Sequence, residues 1–315
     1  MTTLLAAVLG TLAVAEGVWE ARTPLPTATG ELVGAALEGR PVLAGGLGPR
    51  WSVSSRVLAY QPAAERWQPL PRLPAPLNHH AAAVVAGTLY VMGGATDFSR
   101  DMVERPDVYA LLPGASRWQA RAPMPQARWG HGAAVIDGKI YVAGGRSPEA
   151  SALMVYDPNA DAWEVGSDLP TPRDHLGVVA VDGKLYTIGG RVGLQNVGAV
   201  EVFDPETARW STAPPLPTPR SGMAVAVVDG RVHTAGGEDL ETGKVFDAHE
   251  VYDPLAQAWS APAPLLQASH GALGVASADG FMVIGGSSRA GGQSASGWLE
   301  RADVYIRQAV GHDTE

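Results

Sequence analysis

The chain has 315 residues, 46% hydrophobic and 17% charged, with 38 Gly, 25 Pro and no Cys. That length and composition suit a folded chain with a large core and exclude disorder, and the lack of cysteine excludes disulfides, thiolate metal sites and thiol catalysis. A formal net charge of −9 argues against nonspecific nucleic-acid binding, which needs a basic surface.

The first segment, "TLLAAVLGTLAVA" at 3–15, is apolar, uncharged and too short to span a bilayer. It ends in Ala13-Val14-Ala15, an A-x-A cleavage pattern, so the expectation is a signal peptide over 1–15 and a secreted or periplasmic protein. No Lys or Arg precedes the run, which keeps a cytoplasmic location open. "GVWEA" then reads as a strand with no partner before it.

From there the chain repeats. Gly-Gly pairs stand at 45–46, 93–94, 144–145, 189–190, 236–237 and 285–286, each 26 residues after Trp19, Trp67, Trp118, Trp163, Trp210 or Trp259. An aromatic follows each pair: Tyr60, Tyr109, Tyr156, Phe203, Tyr252 and Tyr305. A period near 50 with four short apolar runs per copy points to propeller blades. Asp137-Gly138, Asp182-Gly183, Asp229-Gly230 and Asp279-Gly280 read as two-residue hairpin turns between first and second strands, with Glu38-Gly39 and Ala86-Gly87 as looser versions. Asp-Pro turns join third and fourth strands, as in "YDPNADAW". First strands rich in Ala, Gly and Val suit a crowded axis. The glycine pairs are expected to mark a bend against a packed indole, and the six repeat tryptophans to be core between blades.

The last copy ends in "ADVYI" at 302–306 without a Trp, so Trp19 and its strand complete it and close the ring. Residues 307–315 read as a disordered tail.

Double glycine, aromatic and Trp in all six copies resemble the kelch repeat over residues 17 to about 306. The resemblance implies an all-β fold: one six-bladed kelch β-propeller over 16–306, with four antiparallel strands per blade. Some proteins of this fold are copper radical oxidases similar to galactose oxidase, which depend on a Cys–Tyr crosslink that a chain without Cys cannot form. Others are similar to a periplasmic sialic-acid epimerase. That resemblance implies an acid and a base at the mouth beside a carboxylate anchor, with Glu238, His175 and Arg173 as the candidates.

Loops between second and third strands vary in length and content, and with the links between blades they share one face, where binding is expected. Ten residues after a Trp stand Arg128, Arg173 and Arg220; directly after glycine pairs stand Arg146, Arg191 and Glu238. Converging arginines would suit an anion, yet an Arg at a strand start also packs between blades, and Glu238 is able to hold such arginines in salt bridges. His79, His80, His131, His175 and His270 fall near the same mouth, but nothing in their spacing makes them converge within metal-bonding distance, so no metal site is expected. Trp51, Trp129 and Trp298 lie outside the repeat and are candidates to stack on a ligand. The ligand-binding candidates are thus Arg128, Arg146, Arg173, Arg191, Arg220, Glu238, His79, His175, His270, Trp129 and Trp298.

No nucleotide, hydrolase or metalloprotease motif appears, and no cofactor is expected. The favoured reading is a monomeric module that binds a protein or peptide through the loop face. The alternative is an exported binder or epimerase of an acidic sugar.

Overall fold

The computed structural model describes residues 17–99, 102–146 and 151–307. The segment expected to be a signal, 1–15, lies outside them, as does all of the expected tail except Arg307. That residue belongs to the last strand, Ala302–Arg307, one position beyond the expected boundary.

Six four-stranded antiparallel sheets follow one another around an axis. Their innermost strands, which number blades one to six, are Val33–Leu37, Ala81–Val85, Trp129–Ile136, Gly177–Val181, Ala224–Val228 and Leu273–Ser277. Each touches the next, and the sixth touches the first, so the ring is closed. Gly17–Ala21 pairs with Ala302–Arg307, placing Trp19 opposite Tyr305 and completing blade six as the end-matching argument requires. Among the described residues no helix is long and apolar enough to cross a membrane.

Glycine is needed where the inner strands crowd. A Cβ on Gly132 would meet Val178 at 2.5 Å, and one on Gly177 would meet Val225 at 2.6 Å. The Asp-Gly turns adopt positive φ at both positions, as at Asp137 (50°) and Gly138 (75°). Blade six departs from this. Ser277 pairs with Gly280, so the loop is Ala278-Asp279 rather than the expected Asp279-Gly280.

Both glycines of every pair have positive φ, so the expected bend is present. The group packed against it is not an indole. A Cβ on Gly45 would strike His80 Cε1 at 2.8 Å, and one on Gly93 would strike His131 Cε1 at 2.6 Å. At Gly144, Gly189 and Gly285 the obstacles are Leu176, Met223 and Leu32. All five are thirteen residues past a repeat Trp, in the next blade. At Gly236 the matching residue is the small Ala272, and the Ser269 carbonyl and Leu265 press in instead.

The repeat tryptophans do join blades, Trp19 buried and the other five half-buried, and all but Trp210 do so with a hydrogen bond as well as with area. Indole Nε1 of Trp67 donates to Thr23 O at 3.1 Å, Trp118 to Pro71 O at 2.8 Å, Trp163 to Ala122 O at 2.9 Å, and Trp259 to Pro214 O at 2.9 Å. Each acceptor sits in the preceding blade, just after its fourth strand.

Candidate functional site

Twelve residues past each repeat Trp the chain turns into the left-handed region: Glu31 (φ 46°), His79 (51°), Gly130 (66°), His175 (51°), Gly222 (63°) and Gly271 (59°). These six equivalent positions form a belt of peptide groups around the axis. Gly130 N donates to His79 O, His175 N to Gly130 O, Gly222 N to His175 O and Gly271 N to Gly222 O, all at 2.8–2.9 Å. Glycine holds this φ freely; Glu31, His79 and His175 hold it at about 1–3 kcal/mol each. The belt rims a cavity of about 120 Å³ at the channel mouth. Below it a second cavity of about 170 Å³ runs between the inner strands.

Around the rim the charged side chains form one buried network. Arg191 Nε donates to Asp174 Oδ1 at 3.0 Å, its Nη1 to Glu238 Oε1 at 2.9 Å, and its Nη2 to His175 Nε2 at 3.1 Å. Since Arg191 only donates, His175 carries its proton on Nδ1 and donates it to Asp174 Oδ1 at 2.5 Å. His79 Nδ1 lies 2.6 Å from Asn78 Oδ1, and Asn78 commits its NH₂ to the carbonyls of Ala95 and Asp97. His270 Nε2 donates to Arg289 O at 2.9 Å. Burial works to raise the Glu31 carboxyl, but His79, His270, His175 and Arg191 outweigh it and hold it at about 2. Burial also outweighs the pull of Glu31 on His79 and lowers that imidazole to about 4.

The arginine candidates divide. Arg128, Arg173 and Arg220 are buried inside their blades (0%, 3% and 0% exposed). Arg173 donates to Glu201 Oε2 at 2.6 Å and to Gly189 O at 2.6 Å; Arg220 pairs with Glu250 and donates to Gly236 O at 2.7 Å. Arg128 donates to Gly144 O and Ala152 O, both at 3.0 Å. Their donors tie the glycine-pair bend to the third strand, which is the scaffold side of the two readings. Arg191 is committed to Asp174, Glu238 and His175. Arg146 is exposed, 5.5 Å over the ring of Trp129.

Joined to this network through His79 runs an aromatic arc. Trp298 meets Trp51 edge-on at 5.4 Å, and Trp51 stacks on Phe98 at 4.5 Å. Phe98 stacks on His79 at 5.7 Å, and His79 meets Trp129 at 5.3 Å. The contributions come from blades six, one, two and three. A loop of blade six, with a 3-10 turn at Gly291–Ser296, leans over the other side and donates Gly291 N to Glu238 Oε2 at 2.8 Å.

Glu31, Asp174 and Phe98 were not among the candidates read from sequence. Separating the position twelve residues past each Trp from its neighbours would have placed Glu31 in one ring with His79 and His175. Asp174 and Asn78 share the position eleven residues past a Trp. Phe98 carries no such signal, because its loop is outside the repeat.

Comparison with known proteins agrees with the geometry. The family model "KLHDC2/KLHL20/DRC7 Kelch-repeats domain" matches residues 34–213 and 79–286 in two overlapping registers. Kelch-like protein 34 of Homo sapiens is 35% identical over 121 residues, 38% of this chain and 19% of that protein. Beta-scruin of Limulus polyphemus is 35% identical over 98 residues, 30% of this chain and 11% of that protein. The F-box/kelch-repeat protein At1g16250 of Arabidopsis thaliana is 36% identical over 116 residues, 32% of this chain and 30% of that protein. The matches thus cover under a third of each relative's length. The solved structure described as "Structure of YjhT" superposes with a TM-score of 0.73 at 19% identity, over 89% of this chain and 96% of that one, which is a likeness of fold. With six closed blades, the repeat markers in place and a family model matching most of its length, the chain belongs to the kelch-repeat β-propeller family.

Proposed function

We propose that this propeller, as a monomer, binds a protein or peptide segment at its loop-face mouth, seating an aromatic or apolar side chain of the partner against the arc from Trp298 through Trp51 and Phe98 to Trp129. The observation that carries the reading is that arc: four large rings from four blades meet at one rim, and Phe98 is 39% exposed. Aromatic clusters at the centre of an interface supply most of its binding energy. The kelch relatives support a binding role in general. Selection of displayed random peptides on the immobilised protein tests it. Selected peptides should be enriched in aromatic residues and bind Trp51→Ala/Phe98→Ala at least tenfold more weakly. Peptides that bind the double variant equally well would overturn the reading.

One observation favours the second reading, an acidic carbohydrate. Exposed Arg146 beside the Trp129 ring offers a cation next to a stacking surface. Thermal shift with sialic and uronic acids against neutral sugars at low salt tests it: a shift confined to the acids and lost in Arg146→Ala supports it, and its absence removes it. Glu238 and His175 both bond Arg191 inside the network, so this reading is of binding rather than isomerisation. Export belongs to the proposal as well, and N-terminal sequencing of secreted protein should find Glu16 first.

A further inference from the structure

The axial belt brings together three groups that no contiguous stretch of sequence joins. One donor atom from each of Glu31, His79 and His175 lies within 4.8 Å of the other two. Two imidazoles and a carboxylate are a donor set suited to zinc, with a position left for water.

The hydrogen bonds around these groups are a second, independent observation. A ligating imidazole commonly donates its other N–H to a carboxylate or carbonyl oxygen, which fixes the tautomer and turns the bare nitrogen to the metal. His175 donates Nδ1–H to Asp174, and His79 donates Nδ1–H to the Asn78 side-chain oxygen. The remaining nitrogen of His79, Nε2, lies 3.5 Å from Glu31 Oε2. On the other side His270, with its proton on Nε2 toward Arg289 O, turns Nδ1 to Glu31 Oε1 at 3.7 Å and to Glu238 Oε2 at 3.4 Å. That Nδ1 is buried and has no hydrogen bond of its own. Two nitrogen lone pairs thus face the oxygens of one carboxylate, which calls for positive charge between them.

Charge counting points the same way. Arg191 bonds two of the three carboxylates here, Asp174 and Glu238, whereas the partners of Glu31 are the imidazoles of His79 and His270. A carboxylate largely removed from water without a bonded cation is costly, and a metal ion between Glu31 and the imidazoles supplies the missing charge.

We propose that the belt is a zinc-class metal site, with Glu31, His79 and His175 as ligands and Asp174 and Asn78 orienting the two histidines. Metal bonds of about 2.0–2.2 Å draw the three donors inward. Arg191 Nη2 then releases His175 Nε2, while Arg191 keeps Asp174 and Glu238. The site adjoins the aromatic arc through His79, but the two readings fail separately: metal uptake is read without peptide, and the peptide test alters Trp51 and Phe98, neither of them a proposed ligand.

The test is calorimetric titration of the full chain with ZnCl₂ after chelator treatment and desalting, alongside Co²⁺ absorption. One equivalent of Zn²⁺ should bind, Co²⁺ should give the visible bands of a tetrahedral N/O site, and Glu31→Gln and His79→Gln should each weaken Zn²⁺ at least tenfold while keeping the near-ultraviolet dichroism of the tryptophans. Absence of stoichiometric Zn²⁺ uptake, or uptake that both variants retain at full affinity, overturns the proposal. If a variant does not fold, the wild-type Co²⁺ spectrum decides: octahedral or featureless absorption overturns it.

Discussion

Arg191 Nη1 and Glu238 Oε1 meet at 2.9 Å across the gap between blades four and five, with both side chains buried. The pair stands where the first residue after each glycine pair reaches the rim, so it joins two copies of one repeat position. Removing Glu238 takes the acceptor from Arg191 Nη1 while Nε keeps Asp174. Glu238→Ala is therefore expected to cost about 1.5–3 kcal/mol, the loss of a charge-assisted hydrogen bond. In Arg191→Met/Glu238→Leu the loss should be well below the sum of the single losses. Urea denaturation of the full cycle checks this, and strict additivity would show that the two charges are not coupled.

Two glycines of similar φ should respond very differently to alanine. Gly183 (φ 72°) sits in a hairpin turn with nothing within 4 Å of an added Cβ, so Gly183→Ala carries only the left-handed strain, about 1–2 kcal/mol. Gly93 (φ 69°) has the same strain, and its Cβ would meet His131 Cε1 at 2.6 Å and Arg128 O at 2.9 Å. Overpacking there adds about 1–3 kcal/mol. Melting temperatures should rank wild type, Gly183→Ala, Gly93→Ala in falling order. Equal shifts would mean that close packing on the glycine pair is unimportant.

The tryptophans offer a similar contrast. Trp163 Nε1 donates to Ala122 O, so Trp163→Phe loses a hydrogen bond of about 1 kcal/mol besides area and leaves that carbonyl open. Trp210 Nε1 is buried without a partner among the described residues. Trp210→Phe should therefore be the milder of the two by about 1 kcal/mol or more, measured by the same denaturation.

Acid should unfold the propeller through two buried histidines outside the charged network, His131 beside the belt and His249 away from it. Burial lowers His131 to about 3, with Arg128 and His80 pushing the same way. Burial also lowers His249 to about 3, with His233 and Arg220 adding to it. A histidine depressed in the folded state contributes its full stability above about pH 6.5, and the contribution is lost as pH falls from there toward 3. At about pH 4.5 the loss is roughly 2–3 kcal/mol per histidine. His249→Phe should flatten the slope of stability against pH between about 6.5 and 4.5. An unchanged slope would remove His249 from the account.

The blade count, the ring closure and most of the hairpin turns are legible in the sequence alone, because their markers recur at fixed distances along one chain. A Trp sits 26 residues before each glycine pair in every copy, and the leftover strand at Trp19 matches the Trp missing from the last copy. Blade six shows the limit even here: Asp279-Gly280 looks like the other turns, yet pairing of Ser277 with Gly280 moves its loop by one residue. The same distances named the mouth and most of its residues, but could not say which way each side chain turns.

That was decided by packing. Arg173 and Arg146 look alike as sequence, yet one is drawn inward by Glu201 while the other lies out over Trp129. The inward pull had a faint signal, since Glu201 and Glu250 each stand two residues before the blade aromatic. Convergence of Glu31, His79 and His175 had no local signal. The three come from three different blades and meet only where the closed ring brings every repeat to a common axis, so distance along the chain carries no information about their distance in space.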